Sequence, residues 1–173
     1  MSSVIGPKKN PRDFGFKETD THLIVNDSVE TMRAFSFEGK LLWTIPCLAR
    51  GQGVENNWME YATDTPPGLY KLGTLYNDYA KYGKSPAYDR TLAAYGYCFY
   101  DMIELEGQER RYGRAGIGLH GGGSALGWPG AWAPNQRLVP THGCCRIRNS
   151  DLLEKILPLY NKGTVYLSVF QEA

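Results

Sequence analysis

The chain has 173 residues, 42% of them hydrophobic and 21% charged, a balance typical of one folded globular domain. The formal net charge of +1 gives no basic surface of the kind that binds nucleic acid or an anionic membrane. No apolar run approaches the ~20 residues of a membrane helix, and the N-terminus lacks the apolar segment of a secretory signal. We therefore expect no membrane span, and a protein that stays in the cytoplasm, leaves it by another route or has lost its signal.

The first part of the chain predicts an arm followed by a β-rich domain. Residues 1–20 are polar and contain prolines, which indicates a loose N-terminal arm, and one domain is expected over residues 21–173. Three strands are predicted at 21–26, 31–37 and 41–47, separated by turn residues. Pro46 cannot donate a ladder hydrogen bond, so the third strand is expected to lie at a sheet edge or to end there.

The remaining segments predict more strands, two long loops and one helix. Strands are expected at 69–72, 95–105, 117–120 and 164–170, and long loops at 76–90 and 121–140. Apolar residues at helical spacing predict a helix over about 150–162, with Asn149, Ser150 and Asp151 as its cap and Gly163 as its end. The expected fold is mainly β, a β-sandwich or open barrel with one principal α-helix.

Two short segments carry the residues of a cysteine acyl-transfer site. The chain has three histidines, and two of them fall in these segments. A thiolate is a nucleophile, and a nearby imidazole can generate it. Glycine beside the thiol permits a close backbone turn whose N–H groups can form an oxyanion hole. The segments are His120-Gly121-Gly122-Gly123 and Thr141-His142-Gly143-Cys144-Cys145-Arg146.

Other interpretations of these residues stay open. Most isolated cysteines are buried structural thiols, which is our interpretation of Cys47, Cys98 and Cys145. Arg146 either lowers the thiol pKa, binds a substrate carboxylate or lies on the surface. A zinc ion bound by His120, His142, Cys144 and Cys145 is an alternative, although adjacent cysteines seldom bind one ion, and we predict no metal or other cofactor. His22 lies in an ordinary strand pattern, so we expect it to be structural.

Aromatic residues flank the predicted site in sequence. They either line a groove for an extended substrate or pack under the long loop 121–140. The residues are Trp128, Trp132, Tyr70, Tyr76 and Tyr79.

Together these segments resemble the L,D-transpeptidase catalytic domain (YkuD) family. The match is His120-Gly121, a spacer, and Thr141-His142-Gly143-Cys144 with Arg146 two residues on; Thr65-Pro66-Pro67-Gly68 is similar to a family turn. The spacer of 20 residues between His120 and Thr141 is longer than is usual in the family. A longer loop there would reshape the substrate groove.

The resemblance implies a mechanism and a substrate class. Cys144 would attack the bond between diaminopimelate or lysine and D-alanine in a peptidoglycan stem peptide, forming a thioester. His120 would be the base, oriented by the Gly121 carbonyl, with His142 in support. The N–H groups of Gly143 and Cys144 would hold the oxyanion. Arg146 would position the motif or the donor carboxylate, and no cofactor would be needed.

Three functions remain open from the sequence. An amine acceptor would give 3-3 cross-links, whereas water would make the protein an L,D-carboxypeptidase or endopeptidase. A phage virion or structural protein that keeps this fold is the third. The expected partner is a peptidoglycan stem peptide, with a phage particle as the alternative. The expected location is the cell wall or periplasm after export or phage delivery, and otherwise the cytoplasm or a virion.

Overall fold

The computed structural model describes residues 3–52, 63–77, 94–123 and 130–172. In these ranges the chain forms nine strands, a short helix and one principal helix. The strands are β1 (Val4–Ile5), β2 (Thr21–Asn26), β3 (Thr31–Phe35), β4 (Leu41–Pro46), β5 (Gly68–Tyr76), β6 (Phe99–Glu104), β7 (Gly118–His120), β8 (Cys145–Arg146) and β9 (Val165–Glu172). Helix α1 is Gln108–Tyr112, and α2 is a continuous helical segment over 149–162.

The strands form one curled, mixed sheet, the open architecture of the two that the sequence predicted. Their order is β4-β3-β2-β9-β5-β6-β7-β8, with β1 added to β9. The pairs β2–β9 and β7–β8 are parallel, and the other pairs are antiparallel. Strand β4 lies at one edge and ends at Pro46, which confirms the expectation for that residue.

The segment that follows β4 connects the two edges of the sheet. The backbones of Leu48 and Arg146 exchange two hydrogen bonds, at 2.9 and 2.8 Å. Thr141 N–H donates to Arg50 O at 3.1 Å, and Gln52 N–H donates to Thr141 O at 3.0 Å. Residues 48–52 therefore hold the 141–146 segment on its second side, so the predicted nucleophile lies between two backbone supports.

In the described part of the chain, one apolar cluster lies inside the curl of the sheet. It contains Leu23, Val25, Tyr100, Leu119 and Leu167, which are all inaccessible to solvent, and Leu152 and Ile156 of α2 pack against it. Burying each such side chain contributes about 1.5–3 kcal/mol to stability. The core therefore supports β7 and the start of α2, both of which border the predicted site.

Helix α2 has the predicted extent but begins differently. It comprises Asn149–Asp151, a π-helical segment Leu152–Ile156 and Leu157–Lys162. The predicted cap is wrong, because Arg148 is the N-cap residue and makes no side-chain capping bond. The Asn149 side chain is instead directed toward the glycine-rich loop. Gly163 ends the helix in an extended conformation, where a Cβ would overlap Thr19 O.

Two further segments differ from the sequence expectation. The N-terminal residues are not loose: β1 pairs with β9, and Pro11–Phe14 forms a 3-10 helix with an Asn10 capping box. Strand β6 begins at Phe99, four residues later than predicted. Gly96, with φ +79°, bends the chain there, and a Cβ at this position would overlap Asn149 Oδ1 and the backbone of Gly122.

The long loop predicted at 76–90 lies almost wholly outside the described residues, and Tyr76 is the last residue of β5. In the part of the chain that the structure describes, no helix is long and apolar enough to span a membrane.

Candidate active site

Parallel pairing of β7 with β8 brings the two predicted catalytic segments together. Leu119 lies opposite Cys145, and His120 lies opposite Arg146. Leu119 and Cys145 are wholly buried in the core. Because side chains alternate along a strand, His120, Cys144 and Arg146 are directed to the other face of the sheet. The nucleophile and base that the sequence predicted therefore lie on one face of the sheet.

The Cys144 thiol is half-buried and contacts the backbone of the segment before β7. Gly118 N–H donates to Sγ at 3.4 Å, and Sγ lies 3.8 Å from Gly116 O. Burial raises the pKa of Cys144 to about 11, against the opposing influence of the Gly118 N–H and of Arg146. The resting thiol is therefore protonated at neutral pH, and it needs a base to become a nucleophile.

The surroundings of His120 fix the orientation of its ring and the position of its proton. Nδ1 lies 2.8 Å from Gly121 O, and a carbonyl oxygen only accepts, so Nδ1 carries the proton and Nε2 is left as the basic atom. The ring stacks on Phe99 with centroids 5.6 Å apart and meets Tyr95 edge-on at 5.1 Å. Burial lowers the pKa of His120 to about 3, and the Arg146 charge adds to this effect. The imidazole is therefore neutral at pH 7.

Four hydrogen bonds hold the turn that carries the nucleophile. Thr141 Oγ1 donates to Cys144 O at 2.8 Å and accepts from Gly143 N–H at 2.9 Å. Thr65 Oγ1 donates to Gly143 O at 2.8 Å, and Arg114 Nη2 donates to His142 O at 3.2 Å. The turn is thus fixed at three consecutive carbonyl oxygens before a substrate arrives, which is the preorganisation that acyl transfer requires.

This bonding bears on Thr141 and on the oxyanion role expected of Gly143. Thr141 is buried, and its hydroxyl is used within the turn, where it bonds the backbone of Gly143 and Cys144. The Gly143 N–H is directed to Thr141 Oγ1 and is not available for an oxyanion in this conformation. Among the described residues, the hydrogen bonds of the turn leave the Cys144 N–H without an acceptor, so it can still take the oxyanion role that the resemblance implies.

The Arg146 side chain is buried and donates hydrogen bonds to several backbone carbonyls. Its Nε donates to Gly121 O at 3.0 Å, the carbonyl that also accepts from His120. Its other nitrogens donate to the carbonyls of Val139, Pro140 (3.3 Å), Ala94 (3.1 Å) and Gly123 (3.2 Å). Burial lowers the pKa of Arg146 to about 10. Of the two roles the resemblance implied, this geometry favours positioning the motif over binding a donor carboxylate.

The structure describes three of the five aromatic residues that the sequence predicted near the site. Tyr70 is 1% exposed, and its hydroxyl donates to Pro66 O at 2.7 Å, so its ring packs in the core and its contact with substrate stays a prediction. Trp132 is half-buried and meets Tyr97 edge-on at 4.9 Å. Tyr76 meets Phe99 at 6.0 Å. Trp128 and Tyr79 lie outside the described residues.

The remaining thiols and histidines do not converge on one point. His142 is exposed, whereas Cys145 is wholly buried on the opposite face from Cys144. Within the described ranges, no group of three His, Cys, Asp or Glu residues is placed to hold a metal ion. Cys47, Cys98 and Cys145 are buried free thiols. His22 hydrogen-bonds Ser168 at 2.7 Å, as a structural histidine would.

Sequence reasoning missed two residues that organise the site. Arg114 is 6% exposed and contacts the turn described above. Asn149 is wholly buried: its Oδ1 accepts from Gly122 N–H at 2.8 Å, and its Nδ2 donates to Ala131 O and Ala133 O. A capping pattern had suggested a helix start at Asn149, but no local signal indicated that its amide crosses to the loop after His120.

Replacing Cys145 with Ala is expected to leave turnover largely intact. The Cys145 side chain packs against Cys47 and lies 3.6 Å from Thr65 Oγ1, away from the face of Cys144. Removing one buried sulfur costs about 1 kcal/mol of unfolding free energy. Steady-state turnover and thermal unfolding check this. Lost activity together with lost bound zinc would contradict it and revive the metal alternative.

The contribution of His120 and His22 to the stability of the protein is expected to fall as pH decreases below 6.5. Burial lowers the pKa of His120 from 6.5 to about 3, and that of His22 from 6.5 to about 4. The unfolded chain therefore binds more protons in this window, so the stabilisation is full above pH 6.5 and is lost as pH falls toward 3. His120→Gln is expected to flatten this slope by up to about 1.4 kcal/mol per pH unit.

His22→Gln is the matched control for this experiment. Both variants should flatten the pH dependence of the unfolding free energy, measured by urea denaturation from pH 7 to pH 4. Only His120→Gln should also lose turnover, because His22 lies away from the thiol. A His120→Gln curve parallel to that of the wild type would contradict the neutral, buried state of this imidazole.

Comparison with known proteins shows a family match and similar folds. Residues 20–165 match the L,D-transpeptidase catalytic domain, YkuD. The fold is similar to that of Bdellovibrio bacteriovorus Bd1075, with a TM-score of 0.56 and 18% identity over 85% of this chain and 46% of that one. It is also similar to Pgp2, the helical cell shape determining protein of Campylobacter jejuni, with a TM-score of 0.54 and 18% identity over 91% and 52% of the two chains.

The chain spans about half the length of these two solved proteins, so the likeness concerns about half of each. A search of curated proteins gives no match. The family match covers the whole sheet from β2 to the first residue of β9, and it includes both histidines and the cysteine of the site. The chain therefore belongs to the L,D-transpeptidase catalytic domain (YkuD) family.

Proposed function

We propose that this protein is a cysteine acyl-transfer enzyme that cleaves the diaminopimelate–D-alanine or lysine–D-alanine bond of peptidoglycan stem peptides and forms 3-3 cross-links. One observation carries the proposal. A half-buried thiol touched by the Gly118 N–H shares a strand face with a neutral imidazole whose Nδ1 is fixed on Gly121 O. Family membership supports the peptidoglycan substrate.

The first half of the reaction follows from the protonation states. Both groups are neutral at rest, so His120 Nε2 accepts the thiol proton as Cys144 Sγ forms a bond to the substrate carbonyl carbon. The Cys144 N–H is placed to donate to the resulting oxyanion. Collapse breaks the carbon–nitrogen bond, His120 returns the proton to the departing D-alanine amine, and a thioester remains on Cys144.

The second half of the reaction decides between transfer and hydrolysis. An amine of a neighbouring stem peptide attacks the thioester, giving up a proton to His120 while the Cys144 thiolate leaves and is reprotonated. The product is a 3-3 cross-link and the free enzyme. Water in place of the amine would give a tripeptide, so the competing activity is that of an L,D-carboxypeptidase.

Mass spectrometry of purified disaccharide-tetrapeptide muropeptides, incubated with the protein beside a Cys144→Ser control, tests this proposal. A cross-linked dimer that has lost one D-alanine supports transpeptidation. Tripeptide alone would replace it with L,D-carboxypeptidase activity. No change in either sample would reject the peptidoglycan proposal and favour a structural or virion role, for which co-purification with a larger particle would be the next observation to make.

A further inference from the structure

Arg114 connects three separate segments beside the nucleophile. It lies four residues before β7 and is 6% exposed. Its guanidinium donates to Thr63 Oγ1 at 2.7 Å, to Thr63 O and Asp64 O at 3.3 Å, and to His142 O at 3.2 Å. A planar fork of five N–H donors can satisfy acceptors on several sides at once, which a lysine cannot do.

The shape of the nucleophile turn and the place of Arg114 depend on each other. Gly143 has φ +116°, a conformation that residues with a Cβ rarely adopt. A Cβ on Gly143 would overlap Arg114 Nη2, so the guanidinium packs directly against the turn. Thr65, from the same segment as Thr63, donates to Gly143 O at 2.8 Å. Arg114 and Thr65 therefore clamp two consecutive carbonyls of the turn to the 63–65 segment.

We propose that Arg114 is a positioning residue for Cys144: its fork fixes the His142-Gly143 backbone, so that Sγ faces the Gly118 N–H and the Cys144 N–H faces the substrate carbonyl. This role rests on the proposed function of Cys144 as the nucleophile. Arg114 also places a fixed positive charge beside the atoms that become negative during attack.

The electrostatics agree with this geometry. Burial raises the pKa of Cys144, and Arg114 is among the groups that oppose the effect. Arg146 also opposes the rise in the pKa of Cys144. Its N–H groups, however, donate to the loop after His120 and to the 139–140 segment. Arg114 is thus placed to act on the nucleophile turn, and Arg146 on the base.

The test measures the rate of Cys144 alkylation by iodoacetamide between pH 6 and pH 10, with the modified peptide identified by mass spectrometry. The proteins compared are the wild type, Arg114→Met, Arg114→Lys and Arg110→Met, the last changing an exposed arginine on α1. We expect Arg114→Met to slow alkylation at pH 7 about tenfold and to move the half-maximal rate to higher pH. Arg114→Lys should keep a profile near that of the wild type, because it keeps the charge.

The turnover assay distinguishes the hydrogen-bonding geometry of the Arg114 guanidinium from its positive charge. In the muropeptide assay, Arg114→Lys should lower kcat about tenfold with little change in KM, because a single ammonium cannot hold the four acceptors. Equal alkylation profiles for Arg114→Met and Arg110→Met would overturn the proposal. If Arg114→Met does not fold, a wild-type kcat in Arg114→Lys overturns it instead. Alkylation needs no peptidoglycan, so a wild type that alkylates normally but leaves muropeptides unchanged refutes the proposed function and not the role of Arg114.

Discussion

Cys144→Ser is expected to abolish turnover, by about a thousandfold or more, while the midpoint of thermal unfolding stays within about 2 °C of the wild type. A serine hydroxyl has a far higher pKa than a thiol, and the neutral His120 imidazole is too weak a base to ionise it. Stability should hold because Cys144 is half-buried and is touched by backbone groups at 3.4 and 3.8 Å, which a hydroxyl also tolerates. Muropeptide turnover and a thermal melt of the same preparation measure both quantities.

Cys98→Ser provides the matched control for this experiment. Cys98 is 1% exposed and lies in the core, so a hydroxyl there should cost about 1–3 kcal/mol while turnover per folded molecule persists. Cys144→Ser should thus lose activity and keep its stability, whereas Cys98→Ser should lose stability and keep its activity. If Cys144→Ser instead lost stability as Cys98→Ser does, the interpretation of Cys144 as a structural thiol would be correct.

The sequence indicated Cys144 and His120 as candidate site residues but not the contacts that hold them, for a physical reason. Cys144 and His120 lie in short segments where the neighbouring residues themselves are the signal: glycine beside the thiol and a carbonyl at Gly121 to orient the ring. Arg114 and Asn149 act on partners 28 and 27 residues away in the chain, His142 and Gly122. No periodicity or local pattern can predict such contacts.

The fold, like the site, was predictable where the signal is local and not where it depends on distant residues. Alternating strands, turns and the apolar stripe of α2 are local patterns, and they predicted the mainly β class and the helix over 150–162. The connection of residues 48–52 to the 141–146 segment consists of isolated bridges between irregular segments. This connection forms only once the sheet has curled, so no local sequence pattern predicts it. The burial of Thr141 and Tyr70 is likewise a property of the closed fold, which no local pattern indicates.

Arg146→Met is expected to produce the largest loss of stability, about 3–5 kcal/mol, equal to a fall of about 10 °C or more in the thermal midpoint. Arg146 is 4% exposed and donates to the carbonyls of five residues from three chain segments. Methionine fills a similar volume but donates nothing. Each buried carbonyl left without a donor costs about 1–3 kcal/mol, and partial relaxation keeps the total below the sum.

The Arg146→Met variant should lose more activity than its lower stability accounts for. Gly121 O loses one of its two donors and no longer fixes the His120 ring. Arg148→Met is the matched control: Arg148 is the half-buried N-cap residue of α2 and should change the midpoint by only about 1–2 °C. Arg146→Lys, which keeps the charge and loses the fork, should fall between them. A stable, active Arg146→Met protein would contradict the view that this guanidinium assembles the base side of the site.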